Sequence, residues 1–344
     1  MLCGVSFMSV IATSIRKIIK IGERSVGITI PREWLNVLGM SIGSSVEVSL
    51  SPGYLLIKPL SISQTKPIHS VKVKHDDINV LSRLIIAGYI EGYDIISVDV
   101  ARDLARKAFY SIAMRLPGAI AMDGPEFKVK ISVDEINTDL NEVISSMRST
   151  LSTMFDLLID YFNTGDRKRL EEIIRLDDDL DRLHFLGMRA IKRTAFKEPS
   201  DSLDYAIVIK SLEHIGDCLD RVSNTMLKIG LEDLHINNEC RAIFKDIFAK
   251  VSSYVSKAIN SLGTNNITLA MKVLLGREEL ATEALNSIKQ CLDVPGVLAI
   301  THEAIVAVYE AAEIGEVATL KAIKSMEEEH RVPVKEELSQ ELSE

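Results

Sequence analysis

The sequence predicts a mainly α-helical protein: two copies of a three-helix bundle, preceded by a small α+β domain and a short-stranded N-terminal β module. Three observations carry that expectation. Beyond Asp134 apolar residues recur with helical period in six long stretches, parted by Asn163-Thr-Gly165, Lys197-Glu-Pro-Ser200, Gly230, Gly263-Thr-Asn265 and Asp293-Val-Pro-Gly296. The stretches repeat: Asp181 and Glu283 stand 102 residues apart, and Ile215-Gly216-Asp217 and Ile314-Gly315-Glu316 stand 99 apart, as two copies of a three-helix hairpin require. Before Asp134 the chain reads instead as short β-branched runs broken by Gly and Pro.

At 344 residues the chain can bury several cores. The expected division is 13–60, 67–133, 134–230 and 235–326, followed by a charged tail over 327–344 that reads as mobile or weakly helical. The net charge of −9 argues against general nucleic-acid affinity, but it is unevenly spread. Residues 1–66 hold seven Lys/Arg against three Asp/Glu, +4, leaving −13 for the remainder. A basic head on an acidic body follows. Cys3, Cys218, Cys240 and Cys291 show no metal-ligand spacing and read as buried thiols of a reducing compartment. The first twelve residues are apolar without a basic leader, so a start at Met8 is expected. No stretch has the length of a membrane span, which points to the cytoplasm.

In the N-terminal module, strands are expected over Ser14–Ile21 and Ser25–Ile30. Pro31 opens a short helix that Gly39 ends, and strands follow at Ser45–Leu50 and Tyr54–Lys58. About 45 residues in a ββαββ order bury too little surface alone, so the module should dimerise. Residues 67–133 read as βαβαββ, a sheet with helices on one face. Gly88 and Gly92 lack the Lys-Ser/Thr of a phosphate loop, and this layer reads as a platform without a catalytic set.

The candidate chemistry lies in two acidic segments, Leu176-Asp-Asp-Asp-Leu-Asp181 and Leu212-Glu-His-Ile-Gly-Asp217. Positions i and i+4 share a helix face, so Asp177 with Asp181, and Glu213 with Asp217, form two carboxylate clamps. Packed face to face, four carboxylates need a cation or protonation. The competing reading is a set of solvated faces paired with Arg175, Arg182 or Arg221. His184 follows on the Asp177/Asp181 face and is an additional candidate ligand. In the second repeat Glu279 and Glu283 keep a clamp and Glu316 stands for Asp217, but Ala312 replaces Glu213, so that site should be weaker. An all-oxygen set leaves Mg, Ca, Mn, or bridged iron or zinc open.

Two resemblances add to this reading. Arg16-Lys17-Ile18, Gly22-Glu23-Arg24, Ile28-Thr29-Ile30-Pro31, Leu38-Gly39, Gly43 and Leu56-Ile57-Lys58-Pro59 make the head similar to the AbrB/SpoVT swapped-hairpin DNA-binding domains. That resemblance implies a homodimer laying Arg16, Lys17, Lys20, Arg24 and Arg32 against DNA. Leu35 and Asn36 stand where members of that family carry basic residues. The duplicated trio with its acidic clamps and Leu-Glu-x-Ile-Gly-Asp resembles the PhoU family of phosphate-uptake regulators, which implies metal clusters, typically of iron or zinc.

Together these point to a phosphate-uptake regulator that is not an enzyme, with a DNA-binding dimeric head and a metal-binding body. The alternatives are an adaptor acting on phosphate transporter components or a sensor kinase at the membrane face, and a metal-dependent enzyme.

Overall fold

A computed structural model describes residues 13–51, 53–60, 68–135, 137–194, 199–229, 238–264 and 266–330. The chain divides into two compact units, residues 1–68 and 69–344. Met8 and Cys3 lie outside the described residues. Among the described residues, no helix is long and apolar enough to cross a membrane.

In the first unit, β1 (Ile19–Lys20) pairs antiparallel with β2 (Val26–Gly27), and α1 (Arg32–Val37) follows Pro31. A second hairpin joins β3 (Val46–Ser51) to β4 (Tyr54–Pro59), with Gly53 at φ 88° in its turn. The strands expected over Ser14–Ile21 and Ser25–Ile30 contract to two residues each. The physical reason is visible in the burial. Ile15, Ile18, Ile21, Val26, Ile42 and Leu50 are exposed, and Met40 is the one buried hydrophobic side chain among the described residues of this unit. With no apolar face covered, nothing extends the hairpin.

The second unit opens with β5 (Ser70–Val73), α2 (Ile78–Ile90), β6 (Ile95–Val98), α3 (Arg102–Tyr110), a 3-10 turn (Ala113–Arg115), β7 (Ala119–Met122) and β8 (Phe127–Ile131). The sheet order is β5-β6-β8-β7, with β5 and β6 parallel and the rest antiparallel. Asp77 starts α2 by accepting from the Asn79 and Val80 amides at 2.8 and 3.0 Å, a cap of about 1 kcal/mol. Leu81, Ile85 and Tyr89 of α2 and Ala105, Ala108 and Phe109 of α3 pack on Ile96, Val98, Phe127 and Val129. A Cβ at Gly88 would stand 2.9 Å from Ile96 Cδ1, so glycine lets α2 lie close on the sheet.

Six helices follow: α4 (Leu140–Thr164), α5 (Arg167–Thr194), α6 (Pro199–Ile229), α7 (Asn238–Thr264), α8 (Ile267–Ser287) and α9 (Val297–His330). They form two trios, α4-α5-α6 and α7-α8-α9, which meet through α4 against α7 and α6 against α9 around one core. Gly165, at φ 74°, ends α4 in the left-handed conformation that a Cβ would strain. The helix α9 runs through Glu327 to His330, so the charged tail begins as helix; residues 331–344 lie outside the described residues.

Two features depart from, or go beyond, the sequence reading. Cys240 and Cys291 are not buried thiols but a disulfide, with Cα atoms 5.9 Å apart and a sequence separation of 51, tying α7 to the 3-10 turn Ile288–Cys291. Their wide spacing carries no motif. Cys218 is a buried free thiol, pushed up to about 12 by burial. The second feature is Arg189 of α5, fully buried, whose guanidinium donates to Glu135 Oε1 at 2.7 Å and to the Tyr89 and Tyr93 carbonyls at 2.7 and 2.9 Å. With Phe185 of α5 in the core of the α+β layer, it fixes that layer to the helical body.

Candidate functional site

The seam between α5 and α6 is set by one glycine. A side chain at Gly216 would collide with Leu180 Cδ1, and Asp177 Oδ1 lies 3.5 Å from the same point. Leu180, fully buried, therefore seats in the hollow that Gly216 leaves. Around it α5 presents Asp177, Asp181 and His184, and α6 presents Glu213, Asp217 and Asp220, each set at i, i+4, i+7 and so on one face.

The tightest convergence is Asp181, His184 and Glu213, each with a ligand atom within 4.8 Å of the others. His184 is 6% exposed and Glu213 7%. The buried Nδ1 of His184 has no hydrogen-bond partner among the described residues; Glu213 Oε1 stands 3.5 Å away. An unpaired imidazole nitrogen inside a protein costs roughly 1–3 kcal/mol, which a bound cation would offset. Burial, and then Lys210, push His184 down to about 4, so the ring is neutral near pH 7 and offers a lone pair.

Each of three carboxylates has its own cation. Arg115 Nη1 donates to Asp181 Oδ2 at 2.9 Å, Lys210 Nζ to Glu213 Oε2 at 2.6 Å, and Arg221 Nη1 stands 3.4 Å from Asp217 Oδ2. Asp177 has neither hydrogen bond nor ion pair among the described residues. Burial, with Asp220, Asp181, Asp217 and Glu213 adding repulsion, pushes its carboxyl up to about 8. Asp217 and Asp220 are raised too, first by burial. The solvated-face reading thus describes Asp217 with Arg221 and Asp179 with Arg182, 3.5 Å apart, but not Asp177.

The structure does not bring Glu279, Glu283 and Glu316 into a matching cluster. All three are exposed; Glu283 pairs with Lys250 at 2.7 Å and Glu316 with Arg277 at 3.7 Å. Gly315 packs against Val273, where Gly216 packs against Leu180, so α8 aligns with α5 at an offset of 93 residues rather than 102. In that alignment Ala270, Leu274 and Arg277 occupy the places of Asp177, Asp181 and His184, and buried Ala312 that of Glu213. Glu279 and Glu283 lie 6 and 10 residues past Val273, about 9 and 15 Å along the helix.

Three site residues were missed in the sequence: Asp220, Lys210 and Arg115. Asp220 was signalled, since 213, 217 and 220 repeat the spacing of 177, 181 and 184. Arg115 comes from another layer, and nothing local announces it. In the first unit Arg16, Lys17, Lys20, Arg24 and Arg32 are all exposed.

Residues 144–226 match the family model of the PhoU domain, a span that takes in most of the first trio and the whole carboxylate seam. Searches among curated proteins and among solved structures returned no match to the chain.

Proposed function

We propose, from the PhoU domain at residues 144–226, that the chain regulates phosphate uptake and that its first trio does so with a metal ion held in the α5–α6 seam. The observation that carries the metal is the buried, unpartnered Nδ1 of His184 beside Asp181 and Glu213. Those three residues would hold the ion, flanked by Asp217, Asp177 and Asp220. One imidazole among carboxylates favours zinc, iron or manganese over magnesium and calcium. When bound, the ion supplies positive charge that offsets the carboxylates and ties the two helices together. Elemental analysis of the purified protein beside Asp181→Ala/Glu213→Ala tests this; equal metal content would refute the site. The regulatory role is tested in cells lacking the protein: phosphate uptake should stay high when phosphate is plentiful, and Glu213→Ala should fail to restore control.

The first unit fits a homodimer that binds DNA. Its apolar residues are exposed in one copy, and a second copy of the same hairpins would cover them. Arg16, Lys17, Lys20, Arg24 and Arg32 would then give a dimer ten cations for phosphates. Binding to duplex DNA should weaken about a thousandfold or more between 50 and 200 mM salt. A flat or absent response would favour the adaptor reading, in which the head only dimerises and the partners are transporter components or a sensor kinase.

A further inference from the structure

Among the described side chains that join α5 to the α+β layer, Arg115 is the one that reaches an acid of the candidate metal site. Arg115 closes the 3-10 turn between α3 and β7, and its side chain crosses to α5. There it makes two contacts of unequal strength: Nη1 donates to Asp181 Oδ2 at 2.9 Å, and Nε stands 3.6 Å from Asp178 Oδ1. Asp181 is 15% exposed and Asp178 64%. The same turn is also touched by Arg182, whose Nε donates to the Met114 carbonyl at 2.9 Å.

Asp181 is also one of the three residues whose ligand atoms converge with the unpartnered Nδ1 of His184. A guanidinium and a divalent cation on one half-buried carboxylate repel each other, whereas the exposed Asp178, three residues earlier on the helix, offers the arginine a solvated second partner. We infer that Arg115 is a built-in counter-ion that competes with the metal for Asp181 and moves to Asp178 when the ion binds, so that occupancy of the centre resets the turn Ala113–Arg115. This inference rests on the metal reading above. It makes the turn the route by which the trio's state reaches the sheet, since β7 begins four residues after Arg115. Linkage makes the effect reciprocal: whatever loosens Arg115 from Asp181 strengthens metal binding.

The test is calorimetric titration of zinc chloride into the full chain, wild type beside Arg115→Gln and Asp178→Asn, with hydrogen exchange over residues 113–117 with and without zinc. Arg115→Gln should bind zinc about tenfold more tightly, and Asp178→Asn about fivefold more weakly, since the displaced guanidinium then lacks its second partner. Zinc should raise exchange over 113–117 in the wild type and leave Arg115→Gln unchanged. Weaker or equal zinc binding by Arg115→Gln overturns the inference, because the arginine then supports Asp181 as a ligand or is indifferent to the ion. Should Arg115→Gln fail to fold, Asp178→Asn, a change at an exposed helix position, decides alone: equal or tighter binding overturns the competition. Absence of zinc binding by the wild type overturns the metal reading and this inference with it; binding without the opposite responses overturns this inference only.

Discussion

Asp177 is the group whose behaviour most sharply tests the electrostatics of the seam. Its folded value, about 8, lies above the ordinary 3.8. The fold therefore disfavours the ionised carboxylate, and metal-free stability falls as pH rises from about 4 towards 8. Unscreened, that rise corresponds to at most ~6 kcal/mol at ~1.4 kcal/mol per pH unit. Asp177 keeps some solvent contact, and screening reduces this to ~1–3 kcal/mol. The groups facing it are Asp181 on its own helix and Glu213, Asp217 and Asp220 on α6. Asp177→Asn removes the stressed charge and keeps the shape. Chelator-treated Asp177→Asn should melt about 2–6 °C above the wild type at pH 8, at about 2 °C per kcal/mol for a unit of this size, and the two should converge towards pH 5. Zinc should narrow the gap at pH 8, since an ion in the seam favours the charged form. Differential scanning calorimetry in both buffers measures this. A metal-free Asp177→Asn protein that melts below the wild type at pH 8 would show that Asp177 is stabilised as an anion, and the account of the seam would fail.

Three further substitutions probe the frame. Gly216→Ala forces Leu180 out of its hollow and should cost about 1–3 kcal/mol in denaturant unfolding while lowering metal content, since overpacking parts the two helices. Cys240→Ser opens a loop of 51 residues and should cost about 2–4 kcal/mol; thiol titration of the unfolded, unreduced proteins should count one more free thiol, that of Cys291, in the variant. Arg189→Ala leaves Glu135 buried without its guanidinium partner and should cost about 3–5 kcal/mol, with the first loss of hydrogen-exchange protection in the α+β layer. If protection there is unchanged, Arg189 does not hold the layer.

Much of this was legible in the sequence because helical and strand periods differ and are local. The six helices and the βαβαββ order follow from that. Asp177, Asp181, Glu213 and Asp217 were legible as clamps because i and i+4 share a face whatever the helix packs against. His184 could be placed on that face, but its orphaned nitrogen depends on α6 being opposite. The register of the second repeat was misread because one acidic pair, Glu279 and Glu283, stood in for the alignment; the packing of Gly315 on Val273 is what fixes it. Arg115, Arg189 and the Cys240–Cys291 bridge act across 51 residues or more, and no local pattern encodes such partners. The N-terminal strands are short because their apolar residues have nothing to cover within one copy.

The two trios have parted ways in how they are held shut. In the first, acids of α5 and α6 face one another across the seam, and burial with the repulsion of Asp220, Asp181, Asp217 and Glu213 pushes Asp177 up to about 8, so its closure depends on pH. Its sibling has Ala270, Leu274 and Ala312 in place of those acids and a covalent bond from Cys240 to Cys291. An adjustable trio is thus packed, along α6 and α9, on one closed by a disulfide. Raising the pH should soften only the former and a reductant only the latter, so a loosening of α5 would be felt against a half that stays fixed.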